Sequence, residues 1–129
     1  MRQIISSDFR LGILGGGQLG KMLCQAASAW DITTCVLDPD PEASASGVAS
    51  RFTRGSFRDY ETVMAFAKDV DLLTVEIEGV NIEAIEELEK SGLPVFPQYN
   101  CLRIIRDKGL QKMLYRDHVV NLLDTPGHR

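Results

Sequence analysis

Gly15-Gly16-Gly17-Gln18-Leu19-Gly20 carries the first chemical signal of the chain, because it satisfies GxGxxG between an apolar run and a stretch of helical periodicity. Glycines there let the backbone turn tightly and approach an anion, and the unpaired amides of a helix start can meet it. The plainer reading is a tight strand-to-helix turn without a ligand. The following Lys21 also completes GxxxxGK, but a P-loop needs a Ser or Thr hydroxyl next to ligate magnesium, and Met22 stands there. Lys21 therefore reads as a solvated helix residue. Asp38 lies eighteen residues after Gly20, a spacing that suits a ribose contact in an NAD-binding or regulatory module. Pro39-Asp40-Pro41 equally makes Asp38 a turn-former, and both readings stay open.

A second signal is Glu76, placed where the apolar run Asp71–Val75 ends. Open α/β sheets bind ligands at such carboxyl edges. Glu78 would share its side if the strand continued, and both could be a solvated strand end. Two acids at that edge are costly unless something uses them, so Glu76 is the preferred ligand contact. Cys24, Cys35 and Cys101 are odd in number and lack metal-ligand spacing, so they read as reduced, mostly buried small hydrophobes.

The elements that must hold these residues follow from periodicity. Arg10–Leu14 predicts a buried strand, and Gln18–Trp30 a helix through Leu19, Met22, Leu23, Ala26 and Ala27. A second strand starts at Thr33 and ends at Asp38, before the prolines. Residues 42–55 are small and polar, with a brief strand near Arg51–Thr53. Helical spacing returns over Asp59–Lys68, with Asp59 placed to cap, and the third clear strand is Asp71–Val75. A helix starts at Asn81 or Glu83 and runs to about Lys90, where Ser91-Gly92 stops it. Leu93–Pro97 is a short strand, and Asn100–Arg116 a last helix. Strands alternating with helices predict an α/β, Rossmann-like, doubly wound and mostly parallel sheet.

With 129 residues, 44% apolar and 25% charged, the chain has the composition of one globular domain. A net charge of −4 argues against a nucleic-acid partner or an anionic membrane, while a small anionic ligand needs only local donors. No apolar stretch approaches the roughly 18 residues of a membrane span, and no signal-peptide core is present, so the expected compartment is cytoplasmic.

Taken together, Leu11-Gly-Ile-Leu-Gly-Gly-Gly-Gln-Leu-Gly-Lys-Met22, Leu37-Asp-Pro-Asp-Pro41, Thr74-Val-Glu-Ile-Glu78 and Ile104-Ile-Arg-Asp-Lys-Gly-Leu-Gln-Lys112 resemble one family in order and spacing. It is the ATPase subunit of phosphoribosylaminoimidazole carboxylase, the PurK-type N5-carboxyaminoimidazole ribonucleotide synthetase. The resemblance covers almost all of residues 9–117 and corresponds to the N-terminal, pre-ATP-grasp domain. It implies an ATP-grasp ligase of purine biosynthesis that joins bicarbonate to aminoimidazole ribonucleotide through carboxyphosphate. It also implies ATP and Mg as cofactors of the full-length family, with neither expected on this chain alone, and a homodimer. Gly17, Gln18 and Leu19 are carried over as loop contacts to the ribonucleotide, Glu76 as its carboxylate contact, and Lys108 as a point charge near the ATP phosphates. The family segment usually reads Glu-Phe-Glu-Asn; here it is Glu76-Ile77-Glu78-Gly79, and the Asn is missing.

The pattern holds to about Asp117, giving a domain over residues 1–117 and an atypical tail over 118–129. The family's nucleotide flap, second phosphate lysine and magnesium acids do not follow Asp117, so synthetase activity is not expected from this polypeptide alone. Val119–His128 is instead similar to the DxxG segment of translational GTPases, in which Asp124 and Gly127 would serve magnesium and γ-phosphate. Both depend on the P-loop hydroxyl that Met22 replaces, so the tail reads as a join to unrelated sequence or as divergence.

Overall fold

Apolar residues on both faces of the central strands dictate a sheet covered on two sides, and this is what the chain builds. The structure, a computed structural model, describes residues 8–107, 112–113 and 115–116. The elements run β1 (Arg10–Leu14), α1 (Gln18–Ser28), β2 (Thr33–Asp38), a 3-10 turn (Ser44–Gly47), β3 (Arg51–Arg54), α2 (Tyr60–Ala67), β4 (Leu72–Val75), α3 (Ile82–Lys90), β5 (Val95–Phe96) and α4 (Tyr99–Arg106). The five strands lie in the order β3-β2-β1-β4-β5, and every pairing is parallel. The expected doubly wound fold is therefore present.

Alternation along the strands divides the core. Ile13 of β1 and Val36 of β2 pack with Cys24 of α1 and Ala45 of the 3-10 turn on one face. Leu14, Leu37 and Leu73 face the other way, against Val63 and Phe66 of α2, Ile85 and Leu88 of α3 and Leu102 of α4. Ile13, Leu14, Val36, Leu37 and Leu73 are all fully buried. At roughly 1.5–3 kcal/mol for each such side chain, this double layer fixes the strand register.

The helix starts follow local capping chemistry. Asp59 Oδ2 accepts from Thr62 N at 2.9 Å and starts α2, as expected. Asn81 Oδ1 accepts from Ala84 N at 2.8 Å, which settles the start of α3 in favour of Asn81 over Glu83. Asn81 Nδ2 also donates to Arg58 O at 3.1 Å, tying this cap to the segment before α2.

Two helix ends differ from the periodicity. The first helix stops at Ser28 rather than Trp30, because Asp31 adopts a left-handed φ of 56° and Ile32 N turns back to Ala27 O. The last helix is not continuous from Asn100 to Arg116. Asp107 is extended at φ −93° and ψ 107°, in a sequence where Asp107 and Gly109 both disfavour helix interior. Lys112, Met113, Tyr115 and Arg116 are helical again. The tail over 118–129 lies outside the described residues.

Candidate functional site

The strand order reverses between β1 and β4: the chain first moves outward through β2 and β3, then crosses back to β4 and β5. Ligands of open α/β sheets bind at such a switch point, beyond the carboxyl ends of the strands. Leu14 and Val75 are register partners there, so Gly15 and Glu76 leave the sheet side by side. Glu76 N donates to Leu14 O at 2.9 Å, and Gly15 N to Leu37 O at 2.9 Å.

Gly15 has φ +105°, a conformation costly for any other residue. A Cβ on it would lie 2.6 Å from Glu76 Oε2 and would also collide with Ile77 Cγ2. Gly16 N donates to Asp38 Oδ2 at 2.8 Å, while Asp38 Oδ1 accepts from Asp40 N at 2.8 Å. Asp38 thus joins its own turn to the glycine loop, the turn-forming role of the two weighed for it. Gly20, in the first turn of α1, has no space for a side chain: a Cβ would lie 2.6 Å from the Gly15 carbonyl oxygen. The loop is a packed turn in which Gly15 and Gly20 press against each other.

The start of α1 has Gly17 at its N-cap position and no side-chain cap hydrogen bond from that residue. Glu76 reaches it from the next strand. A Cβ on Gly17 would lie 3.4 Å from Glu76 Oε1, and the amides of Gly17, Gly20 and Leu19 face the carboxylate. Burial and, to a smaller extent, the neighbouring Asp38 charge push the Glu76 carboxyl above the usual carboxylate range, and those amides pull it down without cancelling the burial. One reason is that Oε2 is enclosed with no hydrogen-bond partner among the described residues. β4 ends at Val75, so the strand alternation that would set Glu78 beside Glu76 does not extend to it.

A cavity of about 440 Å³ opens beside the loop, lined by Leu19, Met22, Leu23, Val75 and Glu76. Its size falls in the range of small-molecule sites, and it has apolar walls around one acid. Leu19 is 60% exposed and Met22 53%, so α1 turns an apolar stripe toward this space, opposite the face that buries Cys24 and Ala27.

The structure therefore brings together Gly17, Leu19 and Glu76 of the residues singled out from sequence. Gln18 is exposed at the first residue of α1, at the same edge. Lys108 lies outside the described residues. Sequence reading gave no role to Arg58, whose guanidinium Nη2 would sit 2.9 Å from a Cβ on Gly79. Gly79 occupies the position where the resembled family carries Asn, and its lack of a side chain makes room for that arginine. No group of three or more His, Cys, Asp or Glu among the described residues could hold a metal ion.

Comparison with known proteins follows the same geometry. Residues 9–106 match the model of the ribonucleotide synthetase pre-ATP-grasp domain. Over 103 residues the chain is 47% identical to the phosphoribosylaminoimidazole carboxylase of Vigna aconitifolia, covering 80% of this chain and 18% of that protein. Among solved structures, the N5-carboxyaminoimidazole ribonucleotide synthetase of Thermotoga maritima superposes with a TM-score of 0.80 at 33% identity, over 84% of this chain and 30% of that one. The Aspergillus clavatus N5-carboxyaminoimidazole synthase, solved with ADP and 5-aminoimidazole ribonucleotide, gives 0.77 at 35% identity, over 88% and 30%. The chain thus spans less than a third of the length of these relatives.

Proposed function

The chain belongs to the ribonucleotide synthetase pre-ATP-grasp domain family, and from that premise we propose that it forms the ribonucleotide-binding wall of an N5-carboxyaminoimidazole ribonucleotide synthetase. The observation that carries the reading is the Glu76 carboxylate, set against the glycine loop at the switch point and facing a cavity large enough for a nucleotide fragment. The ribonucleotide complex of the Aspergillus relative supports the same ligand class.

In this proposal the overall reaction is the ATP-driven joining of bicarbonate to aminoimidazole ribonucleotide. The contribution of this domain is to bind and orient. Glu76 accepts hydrogen bonds from the ligand, Gly17 and Leu19 bring the backbone close to it, and Gln18 offers an amide that both donates and accepts. The walls of Leu19, Met22 and Val75 exclude water from one side of the acid. ATP, when bound, supplies the phosphoryl group that activates bicarbonate, and Lys108 is the residue of this chain proposed to face its phosphates. The proposed domain runs over residues 1–117, in a homodimer as the resemblance implies, and the compartment proposed for it is the cytoplasm.

Calorimetry of the full chain tests the reading. Saturable binding of aminoimidazole ribonucleotide is expected, with no release of phosphate from ATP and bicarbonate by this chain alone. Saturable NAD binding with no ribonucleotide binding would sink it in favour of a dinucleotide module.

A further inference from the structure

Helices of a doubly wound sheet cover its strands, but α2 covers the edge strand β3 only in part. Arg51 and Thr53 are register partners of Cys35 and Leu37 and so face α2, yet both are exposed. A cavity of about 450 Å³ lies between strand and helix, a volume in the range of small-molecule sites. Phe66, Ala65 and the Cys35 thiol give it an apolar floor. A crossover helix runs antiparallel to its strands, so the start of α2 lies beside the end of β3. There the groove is shut: a Cβ on Gly55 would lie 2.9 Å from Thr62 Cγ2 and 3.1 Å from Leu37 Cδ1.

At the other end, Arg51 on the strand and Asp69 just past the helix line the two sides. Burial raises the Cys35 thiol above its ordinary value; of the charges that reach it, Arg51 and Arg10 act downward and Asp69 upward, so both sides border one floor. Among the described residues neither Arg51 nor Asp69 makes an ion pair, nor does Glu61 on the same rim. A lone carboxylate at this mouth meets an arginine and an opposing acid, and a lone ammonium meets the same two groups with the signs reversed. A ligand head with both charges satisfies both sides, and an apolar tail on it rests on Ala65 and Phe66. Glu61, about 12 Å along the helix axis from Asp69, lies beyond the reach of a short tail.

We propose that the groove between α2 and the edge strand β3 is a second small-molecule site, which takes an apolar α-amino acid. Its carboxylate lies on Arg51, its ammonium on Asp69, and its side chain along Ala65 and Phe66 toward the closed end. The groove shares no lining residue with the Glu76 cavity, and the proposal does not depend on the functional reading above.

The test is an amide NMR titration of the full chain with L-leucine. Saturable shifts are expected at Thr53, Ala65 and Phe66, with Gly15 and Gly17 unmoved. 4-Methylpentanoate and 3-methylbutylamine keep the tail and one charge each, and should bind at least about threefold more weakly, the weight of a partly exposed ion pair. Arg51→Ala and Asp69→Asn should weaken L-leucine by a similar factor. Ala65→Leu fills the floor and should abolish the shifts while far-UV circular dichroism stays that of the wild type; Asp69→Asn, nearly the same size as the native residue, keeps the test valid if Ala65→Leu fails to fold. No saturable shift with L-leucine, or shifts confined to the glycine loop, overturns the proposal. So does an affinity for either single-charge analogue equal to that for L-leucine, or an unchanged L-leucine affinity in both charge variants.

Discussion

Replacing Gly20 with alanine is a sharp test of how the loop is built, because two effects of opposite sign meet there. At an ordinary helix position the change stabilises by about 0.5–1 kcal/mol, through the lower backbone entropy of alanine in the unfolded chain. At Gly20 the new Cβ would stand 2.6 Å from the Gly15 carbonyl oxygen, against ordinary contact from 3.4 Å outward, so the start of α1 must retreat by about 0.8 Å. Neither partner yields easily: the obstructing atom is backbone, and Gly15 is held by its bond to Leu37 O. Overpacking of this kind costs about 1–3 kcal/mol, which leaves a net loss of about 1–2 kcal/mol. Urea unfolding followed by far-UV circular dichroism should show a midpoint lower by roughly 1 M, given a slope of about 1–2 kcal/mol per molar. Gly47→Ala is the internal control, since a Cβ there meets nothing within 4 Å, and it should be neutral or slightly stabilising. A Gly20→Ala protein as stable as the wild type, or more so, would refute the contact between loop and helix as the reason for this glycine.

Three further outcomes follow from the same geometry. Glu76 titrates higher in the folded chain than the 4.5 of the free side chain, so its protonation favours the fold at low pH, and that contribution is lost as pH rises through the raised value. Glu76→Gln should therefore be the more stable protein at neutral pH and should flatten stability against pH above about 4.5, as measured by urea midpoints from pH 4 to 8. Asp38→Ala leaves the Gly16 and Asp40 amides without their acceptor and should cost about 1–3 kcal/mol; Asp38→Asn, with one acceptor oxygen in place of two, should lose about half of that in the same assay. Asn81→Ala removes both the cap on Ala84 N and the bond to Arg58 O, for an expected loss of about 1–2 kcal/mol, while Asn81→Asp keeps the cap and should recover most of it.

Much of this architecture was readable from local pattern. The strands at Arg10, Thr33 and Asp71 are apolar runs because both sheet faces are covered, and β4 itself begins one residue later, at Leu72. Asp59 and Asn81 announced their helices by cap chemistry that acts within three residues. β3 was fainter: it is an edge strand with only Phe52 half-buried, so its residues carry little burial signal. The break at Asp107 was missed because the apolar spacing of the last segment continues across it.

The site was legible as a set of residues and not as an arrangement. Glu76 and the glycine loop were each visible at strand ends, but nothing local says that a carboxylate at the end of one strand lies against the start of the helix that follows another. That contact comes from the β1–β4 pairing, which places Val75 beside Leu14. Asp38 shows the same limit. Its spacing suits a ribose contact, and only the three-dimensional neighbourhood reveals that both oxygens are spent on backbone amides.

The Asp38 bridge also bears on the thermodynamics of recognition. A glycine-rich segment is usually the most mobile part of a binding surface, and a ligand that orders it loses affinity to the entropy of doing so. Here the segment is already fixed from both sides, by Asp38 on Gly16 and by the close fit of Gly15 against Gly20. A ligand that enters meets a wall in its final shape, so its binding heat reports contacts made rather than chain ordered.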